Sequence, residues 1–110
     1  MKSQIQIRPL RAEAIRLLSE AFNHNGWNKP PSLFERYLEE QVADERLVWV
    51  AYVDDECAGY VTLKWQSHYS SFQELSIPEI MDLNVLPSYR KMGVGSLLMD
   101  CAEKIAATKV

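Results

Sequence analysis

Residues 83–98 have the sequence LNVLPSYRKMGVGSLL, which predicts a strand, a tight turn, a glycine-containing loop and a helix in succession. Val85 and Leu86 end an apolar strand, and Pro87, whose ring fixes φ, favours a turn directly after it. Beyond the loop, apolar residues recur at the three- and four-residue spacing of one helix face. They are Val94, Leu97, Leu98, Cys101 and Ile105.

The loop in this unit has the features of an anion-binding site. The first backbone N–H groups of a helix lack intrahelical partners, and the helix dipole adds partial positive charge there. Gly93 and Gly95 carry no Cβ, so a phosphate can approach the backbone closely. Arg90 and Lys91 add positive charge, and Ser96 can donate a further hydrogen bond. A diphosphate is therefore the expected ligand.

Two common phosphate-binding loops do not fit this sequence. A Walker loop requires a lysine after its last glycine, whereas Gly95 is followed directly by Ser96. A dinucleotide-binding fingerprint requires a third glycine at the position that Leu98 occupies. A simpler alternative is a glycine turn that only caps an ordinary helix.

The pattern Arg90-x-x-Gly93-x-Gly95, between an apolar strand and an amphipathic helix, resembles the acetyl-CoA signature of the GNAT N-acetyltransferase superfamily, Arg/Gln-x-x-Gly-x-Gly/Ala. The resemblance extends over residues 82–98 and implies acetyl-CoA or CoA as cosubstrate. It places the acetyl and pantetheine part on the strand and the diphosphate on the loop. The implied cofactor-binding residues are Leu83, Asn84, Val85, Arg90, Lys91, Met92, Gly93, Val94, Gly95 and Ser96.

The same resemblance implies a reaction in which an acetyl group moves from acetyl-CoA to a primary amine of a small molecule or peptide. The amine attacks directly, with help from a general base. Glu79 lies eleven residues before Arg90, where the histone-acetylating branch of the family carries its base. Asp82 lies where many bacterial members carry an acidic residue.

Strand alternation is the argument for choosing between these two carboxylates. It places Glu79 on an apolar face with Met81 and Leu83, and Asp82 on the opposite face. Desolvation on an apolar face raises a carboxyl pKa towards neutrality, which favours Glu79 as the base. A bulge in the strand would reverse this parity, so Asp82 stays open as the alternative. Each could also be a solvated carboxylate at a strand end.

Five further elements are predicted by periodicity and by turn residues. They are a strand over 4–8, helices over 10–22 and 32–42, and strands over 47–53 and 57–65; the strand that enters the glycine loop spans 78–86. Ser32 and Glu35 form a predicted capping box, and Gly59 marks a bulge or a close backbone approach. Trp27 precedes the second helix, where the family admits its acceptor, and is expected either in the acceptor wall or in loop packing. The order β-α-α-β-β-β-α predicts an α/β fold with a mixed α+β sheet, and it matches the N-terminal two-thirds of a GNAT domain.

Members of this family continue with a further strand, a helix and closing strands, whereas this chain ends at Val110. We therefore expect a single domain over 1–110 that is incomplete at its C-terminus. The strand over 78–86 would then have a bare edge, and such edges pair with other chains. This predicts either a homo-oligomer formed through the open edge of the sheet or a second polypeptide that supplies the missing strands.

Composition excludes several other classes of protein. One hundred and ten residues with 47% hydrophobic and 25% charged residues suit one globular domain. A net charge of −3 argues against nucleic acid or a membrane surface as partner. The sequence has no secretion segment or long apolar run, so we expect a cytoplasmic protein. Cys57 and Cys101 are expected as free thiols, and the histidines have no metal-ligand spacing, so no metal is expected.

Three functions therefore stay open at the level of sequence. The first is an acetyl-CoA-dependent N-acetyltransferase. The second is a CoA-binding but inactive truncated domain, and the third is an interaction fragment that pairs through an open sheet edge. CoA titration separates the third from the others, and a thiol-release assay with a panel of amines separates the first from the second.

Overall fold

The computed structural model describes the backbone of residues 4–43, 45–66 and 77–109, with side chains for all of these except 65–66, 77–81 and 106–109. The order of elements is the predicted one, with a short 3₁₀ helix added before the last helix. The elements are β1 (Ile5–Pro9), α1 (Ala12–His24), α2 (Pro31–Val42), β2 (Arg46–Val53), β3 (Glu56–Gln66), β4 (Ile77–Val85), the 3₁₀ segment (Pro87–Met92) and α3 (Val94–Lys109). Residues 67–76, between the predicted strands over 57–65 and 78–86, lie outside the described residues.

The four strands form one antiparallel sheet in the order β1-β2-β3-β4. Two irregularities interrupt its register. Between β2 and β3, Ala51 pairs with Gly59 and Tyr52 with Cys57, so Ala58 is the extra residue of a bulge. Between β3 and β4 the register shifts between Ile80 and Asp82, and this second bulge determines the geometry of the functional site.

Helices cover both faces of the sheet, and each face has its own apolar core. The core under α1 and α2 includes Leu18, Phe22, Phe34, Val48 and Tyr60. The core under α3 consists of Ala51, Val53, Ala58, Val61, Leu63, Val94, Leu98 and Ala102. Leu97, predicted on the buried face of α3, is 42% exposed, because the buried side of α3 turns towards residues 94, 98 and 102. No helix in the described part of the chain is long and apolar enough to cross a membrane.

The start of α2 differs from the prediction. The helix begins at Pro31 after an extended Pro30, and no side chain caps it, so the predicted capping box of Ser32 and Glu35 is wrong. Proline suits the first helical position, since its missing N–H would have had no intrahelical partner there. Ser32 is consequently a helix residue rather than a cap.

Gly59 is required by a close approach between two strands, as the sequence predicted. A Cβ atom at this position would lie 2.5 Å from the backbone oxygen of Asn84 and 3.1 Å from Cα of Val85. Only glycine therefore lets β3 and β4 approach at the point where β4 ends. The turn before β3 has positive φ at Asp54 and Asp55, 49° and 70°, which is the geometry of a tight hairpin.

Because the Cys57 thiol is buried, we expect the protein to lose stability at alkaline pH. Burial raises the pKa of its thiol from 9.0 to about 11, so the thiol ionises in the unfolded chain before it ionises in the folded one. Between these values the unfolded chain binds fewer protons, and the free energy of unfolding should fall by about 2–3 kcal/mol as pH rises. Urea titrations of the parent and of Cys57→Ala from pH 8 to 11 measure this change. The free energy of unfolding of the variant should fall less steeply with pH than that of the parent. Equal declines in the two proteins would show that Cys57 does not contribute.

Candidate functional site

The candidate site lies along the last residues of β4 and continues into the start of α3. Within the described residues β4 pairs with β3 alone, so its other side is an edge of the sheet. Val85 ends the strand, Leu86 donates its N–H to the Ala58 carbonyl at 2.8 Å, and the 3₁₀ segment follows. Two groups of residues lie along this segment: a polar cluster around Asp82 and the glycine loop.

The cluster around Asp82 is organised by the buried hydroxyl of Tyr60. Tyr60 donates to Oδ2 of Asp82 at 3.0 Å and accepts from Nδ2 of Asn84 at 3.0 Å. Its ring is fully buried against Phe22 and Phe34, with centroids 5.4 Å away in each case. Burial, and then the Asp82 carboxylate, raise the pKa of Tyr60 far above its usual value. The hydroxyl therefore stays protonated and holds Asp82 in one position.

Lys29 also contacts Asp82, a role that no motif in the sequence predicted. Its Nζ lies 3.7 Å from Oδ2 of Asp82, 5.8 Å from the centre of the Trp27 ring and 5.9 Å from that of Tyr60. The side chains of Lys29 and Asp82 are 19% and 31% exposed. An ammonium, a carboxylate and two aromatic faces thus form one half-buried cation site. No local pattern could have revealed it, because the lysine and the aspartate are far apart in sequence.

The expected placement of the two carboxylates on opposite faces is wrong. Thr62 pairs with Asp82 and Leu63 with Ile80, so Met81 is an extra residue in β4. Glu79 consequently pairs with Lys64, and since Thr62 and Lys64 are two residues apart on β3, Glu79 and Asp82 occupy the same face by register. Since Glu79 shares the face of Asp82, the argument that strand alternation places Glu79 on a separate, apolar face no longer favours it as the base. The side chain of Glu79 lies outside those described, so its role stays a sequence prediction.

The glycine loop presents backbone N–H groups at the start of α3. Gly93 has φ of +82°, the left-handed conformation, and ends the 3₁₀ segment. The N–H of Leu97 donates to the Gly93 carbonyl at 3.1 Å, so the N–H groups of Val94, Gly95 and Ser96 precede the regular hydrogen bonds of the helix. A Cβ at Gly95 would meet only Cγ2 of Val85, at 3.7 Å. The helix start is therefore open to a ligand at Gly95.

Exposed positive charge lies beside this helix start. Nε of Arg90 donates to the Val85 carbonyl at 3.0 Å, which fixes the guanidinium next to the end of β4. Lys91, Met92 and Ser96 are exposed, whereas Val94 is fully buried and offers only its backbone. Free N–H groups, a fixed guanidinium and an open glycine position fit a diphosphate. The sequence predicted these roles, and they stay predictions because no ligand contact tests them.

The cavity beside α1 does not belong to this site. A cavity of about 550 Å³ lies between α1, the β2–β3 turn and the 3₁₀ segment, and its walls include Glu20, Glu56 and Tyr89. Neither Asp82 nor the loop glycines line this cavity, so it is separate from the candidate site despite its size. In the described part of the chain, no group of three or more His, Cys, Asp or Glu side chains could hold a metal ion.

Solved structures share this fold at low sequence identity. An acetyltransferase from Trypanosoma brucei is 19% identical with a TM-score of 0.75, over 96% of this chain and 77% of that one. The PaiA N-acetyltransferase from Thermoplasma acidophilum, crystallised with coenzyme A, is 19% identical with a TM-score of 0.72, over 96% and 74%. The aminoglycoside N-acetyltransferase AAC(6')-Iy in complex with CoA is 19% identical with a TM-score of 0.78, over 99% and 73%. No curated protein sequence matches the chain.

The antiparallel sheet with helices on both faces is the GNAT acyltransferase fold. The model of the acetyltransferase (GNAT) family matches residues 12–109, which is almost the whole chain. The chain belongs to the GNAT acetyltransferase family.

Proposed function

We propose that this protein is an N-acetyltransferase that moves an acetyl group from acetyl-CoA to a primary amine of a small molecule or peptide. One observation carries the proposal. The end of β4 and the loop after it connect a half-buried carboxylate, that of Asp82, to a helix start whose backbone N–H groups suit a diphosphate. Family membership over residues 12–109 supports the class of reaction. Related solved structures contain CoA, and one aminoglycoside acetyltransferase contains a bisubstrate analogue, which supports CoA and an amine as the two substrates.

Acetyl-CoA would lie along the end of β4. The backbone of residues 83–85 would hold the acetyl and pantetheine part, and the diphosphate would bind the N–H groups of Gly95 and Ser96. Arg90 would add a charge-assisted hydrogen bond to a phosphate oxygen. Acetyl-CoA would supply an activated acyl group, and the residues of the chain would position it and transfer the protons.

Asp82 is the residue that we assign as general base. A protonated amine must lose a proton before it can attack the acetyl carbon, and a fixed carboxylate can accept that proton. The Tyr60 hydroxyl, 3.0 Å from Oδ2, positions this carboxylate, and Asn84 positions Tyr60 in turn. The exposed 31% of the Asp82 side chain leaves room for an acceptor amine. Glu79 stays the alternative base.

Arg90→Ala should weaken CoA binding about tenfold, because it removes a charge-assisted hydrogen bond worth about 1.5 kcal/mol. Calorimetric titration of CoA into the parent and the variant measures the change. Arg16→Ala is the matched control, since Arg16 is an exposed arginine of α1 that forms an ion pair with Glu20, away from the loop. Equal affinity of the parent and Arg90→Ala would contradict the assignment of the loop.

The acceptor class can be tested directly. The protein is incubated with acetyl-CoA and a panel of primary amines that includes aminoglycosides, polyamines and short peptides with free α-amino groups. Mass spectrometry should show an N-acetylated product for at least one class. CoA binding without an acetylated product from any amine would instead support a CoA-binding domain without turnover.

A further inference from the structure

The backbone of Lys29 is held firmly on α1. Its N–H donates to Oδ1 of Asn23 at 2.9 Å, and its carbonyl accepts a hydrogen bond from Oγ of Ser19 at 2.7 Å. Ser19 is itself buried, and Asn23 donates to its hydroxyl at 3.1 Å. The loop between α1 and α2 therefore presents the Lys29 side chain from a fixed point.

The Lys29 side chain directs a primary amine to the carboxylate assigned as general base. Its Nζ lies 3.7 Å from Oδ2 of Asp82 and close to the faces of Trp27 and Tyr60. Asp82 is followed directly by Leu83, the first residue of the backbone assigned to the acetyl end of acetyl-CoA, and neighbouring strand residues are only about 3.3 Å apart along the chain. With acetyl-CoA in the proposed position, the amine of Lys29 therefore lies beside both the assigned base and the strand that would hold the acetyl group.

We propose that Lys29 is itself an acetyl acceptor, so that the protein acetylates its own Lys29; this rests on the proposed function. The Lys29 ammonium gives one proton to Asp82, which passes it to solvent. Nζ then attacks the acetyl carbonyl carbon, an N–C bond forms and the C–S bond of acetyl-CoA breaks. The second Nζ proton goes to the CoA thiolate, and the products are N-acetyl-lysine, CoA and one proton.

Acetylation would change the site that it occurs in. The amide carries no charge, so the ion pair with Asp82 and the cation–π contacts with Trp27 and Tyr60 are lost. Asp82 then has no ammonium beside it from the chain itself. Self-acetylation therefore removes the chain's own positive charge from beside Asp82, so that it no longer competes with a foreign ammonium for this carboxylate.

Lys64 provides a control within the same molecule. It also forms an ion pair, with Nζ 3.5 Å from Oε2 of Glu40, and it is more exposed than Lys29. Lys91 is an exposed lysine of the cofactor loop. Chemical acetylation by acetyl-CoA alone would modify these lysines at least as readily as Lys29, whereas catalysis by the site would select Lys29.

The test incubates the 110-residue chain with acetyl-CoA and maps each lysine by mass spectrometry over time. Lys29 should be acetylated about a hundredfold faster than Lys64, and Asp82→Asn should remove most of this difference, as expected for general-base help. The first-order rate constant should not change on dilution of the protein. Equal rates at Lys29, Lys64 and Lys91, or a rate constant that falls on dilution, would overturn the proposal.

Added amines separate this proposal from the proposed function, and Lys29→Arg is the control. Arginine keeps the charge beside Asp82 but is not an acetyl acceptor, so the acetylation at position 29 should disappear in this variant. If the parent acetylates added amines while its Lys29 stays unmodified, self-acetylation is overturned and the N-acetyltransferase assignment stands. If neither added amines nor Lys29 are acetylated, both fail. Circular dichroism and CoA titration of each variant confirm that it is folded.

Discussion

Replacing Asp82 by asparagine should lower kcat for amine acetylation by about a hundredfold or more near neutral pH. Asparagine has nearly the shape of aspartate and can still accept the Tyr60 hydrogen bond through Oδ1, but it cannot accept a proton. CoA affinity should stay close to that of the parent, because the phosphate-binding residues are in the loop after β4. The loss in kcat should shrink as pH rises, since more of the acceptor amine is then already neutral. Steady-state rates from pH 6 to 10 measure both effects.

Two further variants make this experiment decisive. Asp100→Asn is the matched control, because Asp100 is an exposed residue of α3 outside the assigned site, and its rate should equal that of the parent. Glu79→Gln tests the alternative base. A greater loss of kcat in Glu79→Gln than in Asp82→Asn would contradict the assignment of Asp82 and return Glu79 to that role.

Replacing Gly59 by alanine should lower the free energy of unfolding by about 2 kcal/mol or more. The added Cβ would lie 2.5 Å from the backbone oxygen of Asn84, and this oxygen cannot move away without separating β3 from β4. The hydrogen bonds between Tyr60, Asp82 and Asn84 depend on this pairing, so activity should fall as well. Urea unfolding followed by circular dichroism measures the stability change.

Gly95→Ala is the matched substitution for this experiment. Its Cβ would meet only the Val85 side chain, at an ordinary contact distance of 3.7 Å, and alanine favours a helix more than glycine does. Its free energy of unfolding should be unchanged or slightly higher. A Gly59→Ala protein as stable as Gly95→Ala would show that β3 and β4 can separate at that point at little cost.

The order of elements could be predicted because it depends on local patterns. Period-two and period-3.6 spacing of apolar residues identified the four strands and the three α-helices, but not the short 3₁₀ segment over Pro87–Met92. The start of α2 was misplaced because two signals competed. Ser32 and Glu35 match a capping box, but Pro31 occupies the first helical position and no side chain caps the helix.

The two halves of the candidate site differed in how far sequence could predict them. The glycine loop is a continuous motif, so its residues could be named in advance. The cation site joins Lys29 to Asp82 and Tyr60, which only the tertiary structure brings together. The bulge at Met81 has no glycine or proline to mark it, and it is the reason that the assignment of Glu79 and Asp82 to opposite faces by simple alternation was wrong.

Acetyl transfer with Asp82 as base is tested most directly by release of CoA thiol from acetyl-CoA with and without an acceptor amine. The parent protein should release thiol in an amount equal to the acetylated amine formed, and release should depend on amine concentration. In Asp82→Asn, amine-dependent release should be about a hundredfold slower at neutral pH. Amine-dependent release at the same rate in the parent and in Asp82→Asn, or none in the parent with any amine, would contradict this function for the site.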